Sequence, residues 1–428
     1  MAIAASREEV ERRLASGDIS GALSSSAALL EAQPHVADAL TLRAAALMAA
    51  GRPTEAVDVL APQASDAGAD PALQSALAMC QVAAGDRSAA IRTFEILLVQ
   101  SPEDFTSRLA YAECLERQVD AAAALPEYFR AVHVAQRYGR WLNDATTIPA
   151  LRARVKRAMD LIDAGRQDLF ERVFQPHVDA FGRDAMARVA EALHVYLGTQ
   201  RPPARDPRQQ PKFFWMPGLL PKPFYPSQPW YDALEAAAPD ICEELGGAVD
   251  AKRELEPFLV IDDRNAEEDY LGGDPRSRAW DAFFFYRHGQ RHPARHAACP
   301  RTSAALESVP LTRIAGHAPE VLFSVLAPQT HIKPHYGVTN TRVVTHLPLL
   351  IPQGDCKLVV GGVGHAWDPG RCVTFDDTFL HEAWNRTDHR RVVLILDTWN
   401  PDLTPEECVA LKDLVERIGD FNARAGIS

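Results

Sequence analysis

Small residues return every 34 positions through the first third of the chain. The turn pairs Gly17-Asp18, Gly51-Arg52, Gly85-Asp86 and Val119-Asp120 start 34 residues apart, and Ala22, Ala56, Ala90 and Ala124 each follow a turn start by five. A small residue at a fixed offset lets two helices approach closely, so the period predicts one helix–turn–helix unit repeated four times. Stretches such as "LRAAALMAAGRPTEAVDVL" place apolar residues at helical spacing on both sides of the turn. The opening "MAIAASREEVERRL" reads as a helix start, with Ser6 and Glu9 set as a capping box, and not as a basic and then apolar signal segment.

In period and turn these units resemble tetratricopeptide repeats, and they depart from them in the aromatic positions. The bland alternative is an Ala-rich helical bundle. Stacked pairs make a concave surface suited to an extended peptide or a partner protein, unless the array only packs against its neighbour. Residues 126–199 continue as helices without the 34-residue phase, as in "PALRARVKRAMDLIDAG" and "DAMARVAEALHVYLG". "TQRPPARDPRQQPK", residues 199–212, is rich in Pro and Arg and marks the clearest boundary. The expected domains are 1–140 (helical repeats), 141–212 (helical connector and linker) and 213–428 (a separate β domain).

Bulk properties narrow the function classes. At 428 residues the chain exceeds one comfortable core. A formal charge of −12 argues against nucleic acid as a partner. No apolar stretch is long enough to span a membrane. Seven scattered cysteines without a CxxC pair suit reduced thiols and a cytoplasmic setting.

From residue 319 the period changes to two. "EVLFSVLAP", "TRVVTHLPLLI", "CKLVVGG", "RCVTFDD", "FLHEAW" and "RRVVLILDTW" read as short strands separated by turn residues, predicting a sandwich or a double-stranded β-helix of the jelly-roll type. Ten of the 14 histidines fall between His288 and His389, which puts the chemistry here. His335 and His381 lie 46 residues apart, at strand ends that a jelly roll can bring to one mouth. Arg391 follows ten residues after His381, far enough for a returning strand to bring it alongside. Two imidazoles suit Fe(II), and a buried arginine beside them suits a dicarboxylate. A His-x-Asp/Glu…His iron site would place a carboxylate at 337, where this chain has Gly337. The plainer reading is two polar strand ends and a surface arginine.

Residues 213–405 resemble the aspartyl/asparaginyl β-hydroxylase family of Fe(II)- and 2-oxoglutarate-dependent oxygenases. The likeness is carried by "PGLLPKPFY", "WDAFFFYRHGQ", "CPRTSAAL", "FSVLAPQTHIKPHYGVTNTRVVTHLPLLIP", "CKLVVGG", "FDDTFLHEAWN" and "RRVVLILDTWNPDLTPEE", in order and spacing. The resemblance implies a peptidyl β-hydroxylase-like dioxygenase using Fe(II), 2-oxoglutarate and O2, with His335 and His381 as metal ligands. Gly337 matches the family's glycine, where water replaces the usual carboxylate. Ser324, His346 and Arg391 match positions that hold 2-oxoglutarate, with Arg391 on its distal carboxylate. Trp280 and Arg342 match positions without an assigned role.

One position departs. The family's second arginine, which grips an acidic substrate side chain, is here Val344, so the target is open. Arg276 and Arg278 could compensate or could be solvated loop charges. The expected substrate is an amino-acid side chain of a peptide or protein presented by the repeats. The alternatives are a free amino acid, another small molecule or a lipid, or an inactive oxygenase-like scaffold whose repeats bind a partner.

Other candidates read as support. In "HGQRHPARH", His288, His292 and His296 recur every four residues, but Pro293 interrupts a helical face, favouring a polar loop near the substrate mouth over a zinc site. Asp376 and Asp377 read as turn caps that also support His381. His331, His365 and His389 read as surface or structural. Tyr336 and Trp384 flank the two ligands as pocket walls or as ordinary core.

Overall fold

The computed structural model describes residues 6–66, 68–250, 255–258, 271–272 and 279–427. The chain divides into two compact units, Met1–Asp168 with Phe421–Ser428, and Leu169–Asp420.

The first unit holds four helix pairs in the predicted phase: α1 (Arg7–Ser16) with α2 (Ile19–Ala32), α3 (Ala37–Ala49) with α4 (Pro53–Ala64), α5 (Pro71–Ala84) with α6 (Arg87–Gln100), and α7 (Phe105–Gln118) with α8 (Ala121–Arg137). Two devices recur at the turns. Gly17, Gly51 and Gly85 adopt left-handed φ of 77°, 72° and 86°, which glycine takes without a Cβ penalty. In the fourth unit α7 ends instead on Val119 with φ −113°, so no glycine is needed there. Asp18, Asp86 and Asp120 then cap the second helices by accepting from the backbone N–H groups of Gly21, Ala89 and Ala123. Half of the expected capping box forms. Ser6 accepts from Glu9 N–H at 3.3 Å, while the Glu9 carboxylate turns to Arg12 and Arg13.

Ala22, Ala56, Ala90 and Ala124 are fully buried, each at 0% exposure. That fits the sequence argument: the offset marks where the paired helices come closest.

In the second unit two antiparallel sheets face each other as a jelly roll. The strands used below are β1 (Trp280–Arg287), β2 (Val321–Leu326), β3 (Thr330–His335), β4 (Arg342–Leu350), β5 (Cys356–Val360), β6 (Val363–His365), β7 (Val373–Phe375), β8 (His381–Asn385) and β9 (Arg391–Trp399). The larger sheet runs β1-β2-β9-β4-β7, with Glu256–Pro257 and Gln290–Arg291 both pairing with β1. The smaller runs β3-β8-β5-β6, with Leu271–Gly272 on the β3 edge.

The larger sheet is covered on both faces, and its pleat sorts the residues. Phe283 and Phe285 of β1, Phe323 of β2, Leu347 of β4 and Leu394 of β9 pack outward onto the helices Tyr231–Ala236, Ala238–Asp250 and Pro300–Leu306. Trp280, Leu326, Val344, Phe375 and Val393 pack inward onto the smaller sheet. Burial on both faces explains why these strands read as nearly unbroken apolar runs. It also gives meaning to the polar residues inside them. Ser324, Arg342, His346, Arg391 and Asp397 occupy the inward pleat.

Two expectations change. The 199–212 stretch lies within the second unit, because the Gln209 amide is buried and donates to the Asp376 carboxylate at 2.6 Å. The "HGQRHPARH" histidines are not at the cavity between the sheets. Pro293 opens the helix Pro293–Ala298 at its first position, where its missing N–H is harmless. His296 is buried beside Phe285 and Tyr286, bonded to Ser303 Oγ, and His288 pairs with Glu320. Arg276 and Arg278 lie outside the described residues.

Placing bulk where two helices touch costs about 1–3 kcal/mol by overpacking. Ala90→Leu is therefore expected to lower stability by that amount in a denaturant titration, while Ala89→Leu, on the half-buried neighbouring position, changes it by less than about 0.5 kcal/mol.

Candidate active site

Between the sheets lies a cavity of about 150 Å³ lined by the residues that the resemblance assigns to metal, co-substrate and substrate: His335, His381, Ser324, His346, Arg391, Trp280, Arg342 and Val344. The smaller sheet supplies the histidines. His335 ends β3 and His381 begins β8, and the two are direct cross-strand partners with ring centroids 4.1 Å apart. Each ring is oriented by the carbonyl two residues earlier: His335 Nδ1 donates to Lys333 O at 2.8 Å and His381 Nδ1 to Phe379 O at 3.0 Å. A proton on Nδ1 leaves the lone pair on Nε2, the tautomer a metal ligand needs. Burial lowers both rings to about 4, so both are neutral at pH 7.

Gly337 is required by space, not by backbone angle. A Cβ there would sit 2.1 Å from Asp377 Cγ and 2.3 Å from each carboxylate oxygen. The Gly337 N–H also donates to Asp377 O at 2.6 Å. The volume that a ligating carboxylate at 337 would occupy is thus filled by a carboxylate from the next strand's loop. Asp377 Oδ1 is buried without a hydrogen-bond partner among the described residues, and Oδ2 lies 3.5 Å from Arg342. Asp376 takes the capping role, accepting from Thr378 N–H at 2.9 Å.

The larger sheet supplies the cations. Arg391 is 1% exposed, and its Nη1 donates to Ser324 Oγ at 3.2 Å and Ser324 O at 3.3 Å. Its guanidinium lies 4.7 Å over the Trp367 ring, and Nε is buried without a partner. No carboxylate pairs with it among the described residues, and burial lowers it to about 10. Ser324 Oγ also accepts from Trp280 Nε1 at 2.9 Å, so its hydroxyl proton remains as a donor. Trp367 Nε1 donates to His346 Nδ1 at 3.3 Å, which puts that ring's proton on Nε2. At the other end Arg342 Nη1 holds Asp397 at 2.7 Å, a carboxyl that burial pushes up to about 6.

Sequence reasoning placed the site residues together but misjudged some neighbours. Arg391 is not beside His381 in one sheet; it starts β9 in the opposite sheet and faces across the sandwich. Trp384 points away, because its pleat alternates with His381 and Ala383, and its Nε1 donates to Asp355. Neither it nor Tyr336 lines the cavity. His331 pairs with Glu382 at 2.7 Å. Trp367 and Asp397 were missed. For Asp397 the signal was an acid inside the apolar run "VVLILDTW"; Trp367 had none, because its contact is long-range.

Among the described residues no group of three or more His, Cys, Asp or Glu is set to hold a metal. The donor set fits a divalent ion on two imidazoles, with open positions and an unpartnered carboxylate oxygen nearby. The opposite end fits an anion. This arrangement can bring a small dicarboxylate and a divalent metal together in a mostly apolar cavity.

A profile of the family described as "Aspartyl/Asparaginyl beta-hydroxylase" matches residues 235–401, and tetratricopeptide profiles match 13–80 and 75–138. The human protein named aspartyl/asparaginyl beta-hydroxylase is 27% identical over 344 residues, covering 79% of this chain. The chain spans 39% of that protein's length. The rat aspartate beta-hydroxylase domain-containing protein 2 is 32% identical over 258 residues, 58% of this chain and 71% of that one. The Rhizobium tropici ornithine lipid ester-linked acyl 2-hydroxylase is 33% identical over 184 residues, 42% and 61% of the two chains.

If Asp377 fills the space beside Gly337, Gly337→Ala and Asp377→Ala must couple. Gly337→Ala alone is expected to destabilise by about 1–3 kcal/mol, and the double variant to exceed the additive value by at least about 1 kcal/mol. Denaturant titration of the four proteins checks this; additivity contradicts it.

Proposed function

The chain belongs to the aspartyl/asparaginyl beta-hydroxylase family, and on that premise we propose that it is an Fe(II)- and 2-oxoglutarate-dependent dioxygenase that hydroxylates an unactivated C–H bond. The observation that carries this reading is Arg391, a buried guanidinium without a carboxylate partner among the described residues, facing two neutral histidines across one cavity. A buried charge left uncompensated is costly, and an anionic ligand relieves that cost.

In this reading His335 and His381 hold the iron. Arg391 and the Ser324 hydroxyl hold the distal carboxylate of 2-oxoglutarate, and His346 Nε2–H donates to the same co-substrate. Trp280 keeps the Ser324 oxygen turned toward Arg391, and Trp367 does the same for His346 while covering the guanidinium face. Asp377 accepts from water where other oxygenases place a ligand at 337. When bound, iron with 2-oxoglutarate and O2 supplies oxidative decarboxylation to succinate and CO2, with one oxygen atom delivered to the substrate C–H. Phe375, Leu358 and Ile395 keep bulk water out, which strengthens every charge interaction inside.

The substrate is a peptide or protein side chain presented by the repeats, in keeping with the use of such arrays as interaction surfaces. A second reading, an aliphatic small molecule or lipid, is favoured by Val344 in the cavity wall and by the lipid acyl 2-hydroxylase among the relatives.

The purified full chain with Fe(II), 2-oxoglutarate and O2 is expected to release succinate; a protein that never binds 2-oxoglutarate ends the proposal and leaves the inactive-scaffold reading. Arg391→Met removes an uncompensated charge while keeping length. It is expected to raise the melting temperature of the ligand-free protein, yet weaken 2-oxoglutarate binding at least about thirtyfold, a loss of roughly 2 kcal/mol or more, with metal affinity little changed. Calorimetry on both proteins checks the split.

A further inference from the structure

We propose that the substrate segment this cavity admits is aliphatic and uncharged, that acidic side chains are excluded, and that Val344 sets the choice. The inference rests on the oxygenase reading above and narrows it.

The register of the larger sheet fixes where Val344 stands. It is the cross-strand partner of Asp397 on one side and of Phe375 on the other. One inward row deeper, His346 pairs with Ile395, and Ile395 with Leu322. Moving outward from Arg391, an incoming segment therefore meets an apolar girdle of Leu322 and Ile395, then the Val344 methyls. Phe258, stacked on Trp280 with centroids 4.0 Å apart, closes a further side. The apolar character continues outside: Val338 and Leu380, next to Gly337 and His381, are 40% and 42% exposed.

The charges point the same way. Asp377 and Asp397 turn their carboxylates on Arg342, whereas Glu320 and Glu382, which also line the cavity, are paired with His288 and His331; among the described residues two guanidinium groups, Arg391 and Arg342, line it. Arg391 lies at the deep end and is assigned to the co-substrate. Arg342, at the other end, is already shared between Asp397 at 2.7 Å and Asp377 at 3.5 Å. Lys212 is exposed and does not line the cavity; its charge is felt at His335 and His381, on the smaller sheet, and its backbone N–H donates to Gly337 O. A substrate carboxylate would thus lose its water beside Asp377 and Asp397, with the Val344 methyls in the wall and Arg342 already committed, and a low-dielectric wall amplifies that repulsion. An aliphatic segment suffers none of this and gains by leaving water.

The test uses the full chain loaded with Mn(II) and 2-oxoglutarate and two matched probes, octanamide and the mono-amide of octanedioic acid. Paramagnetic broadening of the probes' chain protons reports entry near the metal without turnover. Octanamide is expected to be broadened at least tenfold more than the acid. Val344→Arg is expected to narrow or reverse that ratio by at least tenfold. Val344→Gln, uncharged and safer for folding, is expected to reduce octanamide entry without admitting the acid. Equal or stronger broadening of the acid in the natural chain, no entry of octanamide, or a ratio indifferent to both substitutions overturns the inference. A parallel titration of 2-oxoglutarate separates the two levels. If that co-substrate fails to bind, the oxygenase reading falls and this inference with it; if it binds, only the substrate claim is at stake.

Discussion

Arg391 is a guanidinium held in the dry interior of a sandwich, with a serine, a tryptophan face and no carboxylate around it among the described residues. Left alone, such a group is a liability of several kcal/mol. The fold keeps it because β9 is buried on both faces and its inward pleat opens into the cavity between the sheets. The neighbouring residues follow from that need. Trp280 and Trp367 each spend an indole N–H on fixing another donor, Ser324 or His346, instead of meeting solvent. Rigid donors converging on one point are what a preorganised anion site requires.

In the proposed reading the opposing sheet meets a second requirement, to offer a metal two protein ligands and keep a carboxylate in reach. Cross-strand pairing of β3 with β8 brings His335 and His381 together without help from a third ligand. Removing the side chain at 337 makes room for Asp377, which arrives on the turn preceding His381. That turn is stiffened by Asp376, its Thr378 contacts and the Gln209 amide from a segment 167 residues away. Glycine, turn and buried glutamine are one device. Arg342 completes it by holding Asp377 and Asp397 apart from the cavity's own charge balance.

Much of this was legible in sequence, for identifiable reasons. Repeats declare themselves because each unit buries a small residue at one offset, and Ala22, Ala56, Ala90 and Ala124 all reach zero exposure. Strand runs declare themselves because a doubly covered sheet tolerates few polar residues, so Ser324, His346 and Arg391 stand out. What sequence could not supply was which sheet each strand joins. Arg391 was expected beside His381 and lies across from it; Trp384 was offered as a wall and faces outward. Local pattern fixes the pleat, but layer assignment is long-range. Pro293 misled for a simpler reason, since proline stops a helix in its middle and starts one at its first position.

A cavity that binds divalent iron and a dicarboxylate together can be read directly by anaerobic titration of the Fe(II)-loaded full chain with 2-oxoglutarate, followed by the visible charge-transfer absorption of the chelate. A saturable band with one equivalent per chain is expected, and none with succinate, which lacks the keto group. Iron that binds at His335 and His381 without any such band on adding 2-oxoglutarate would contradict this reading.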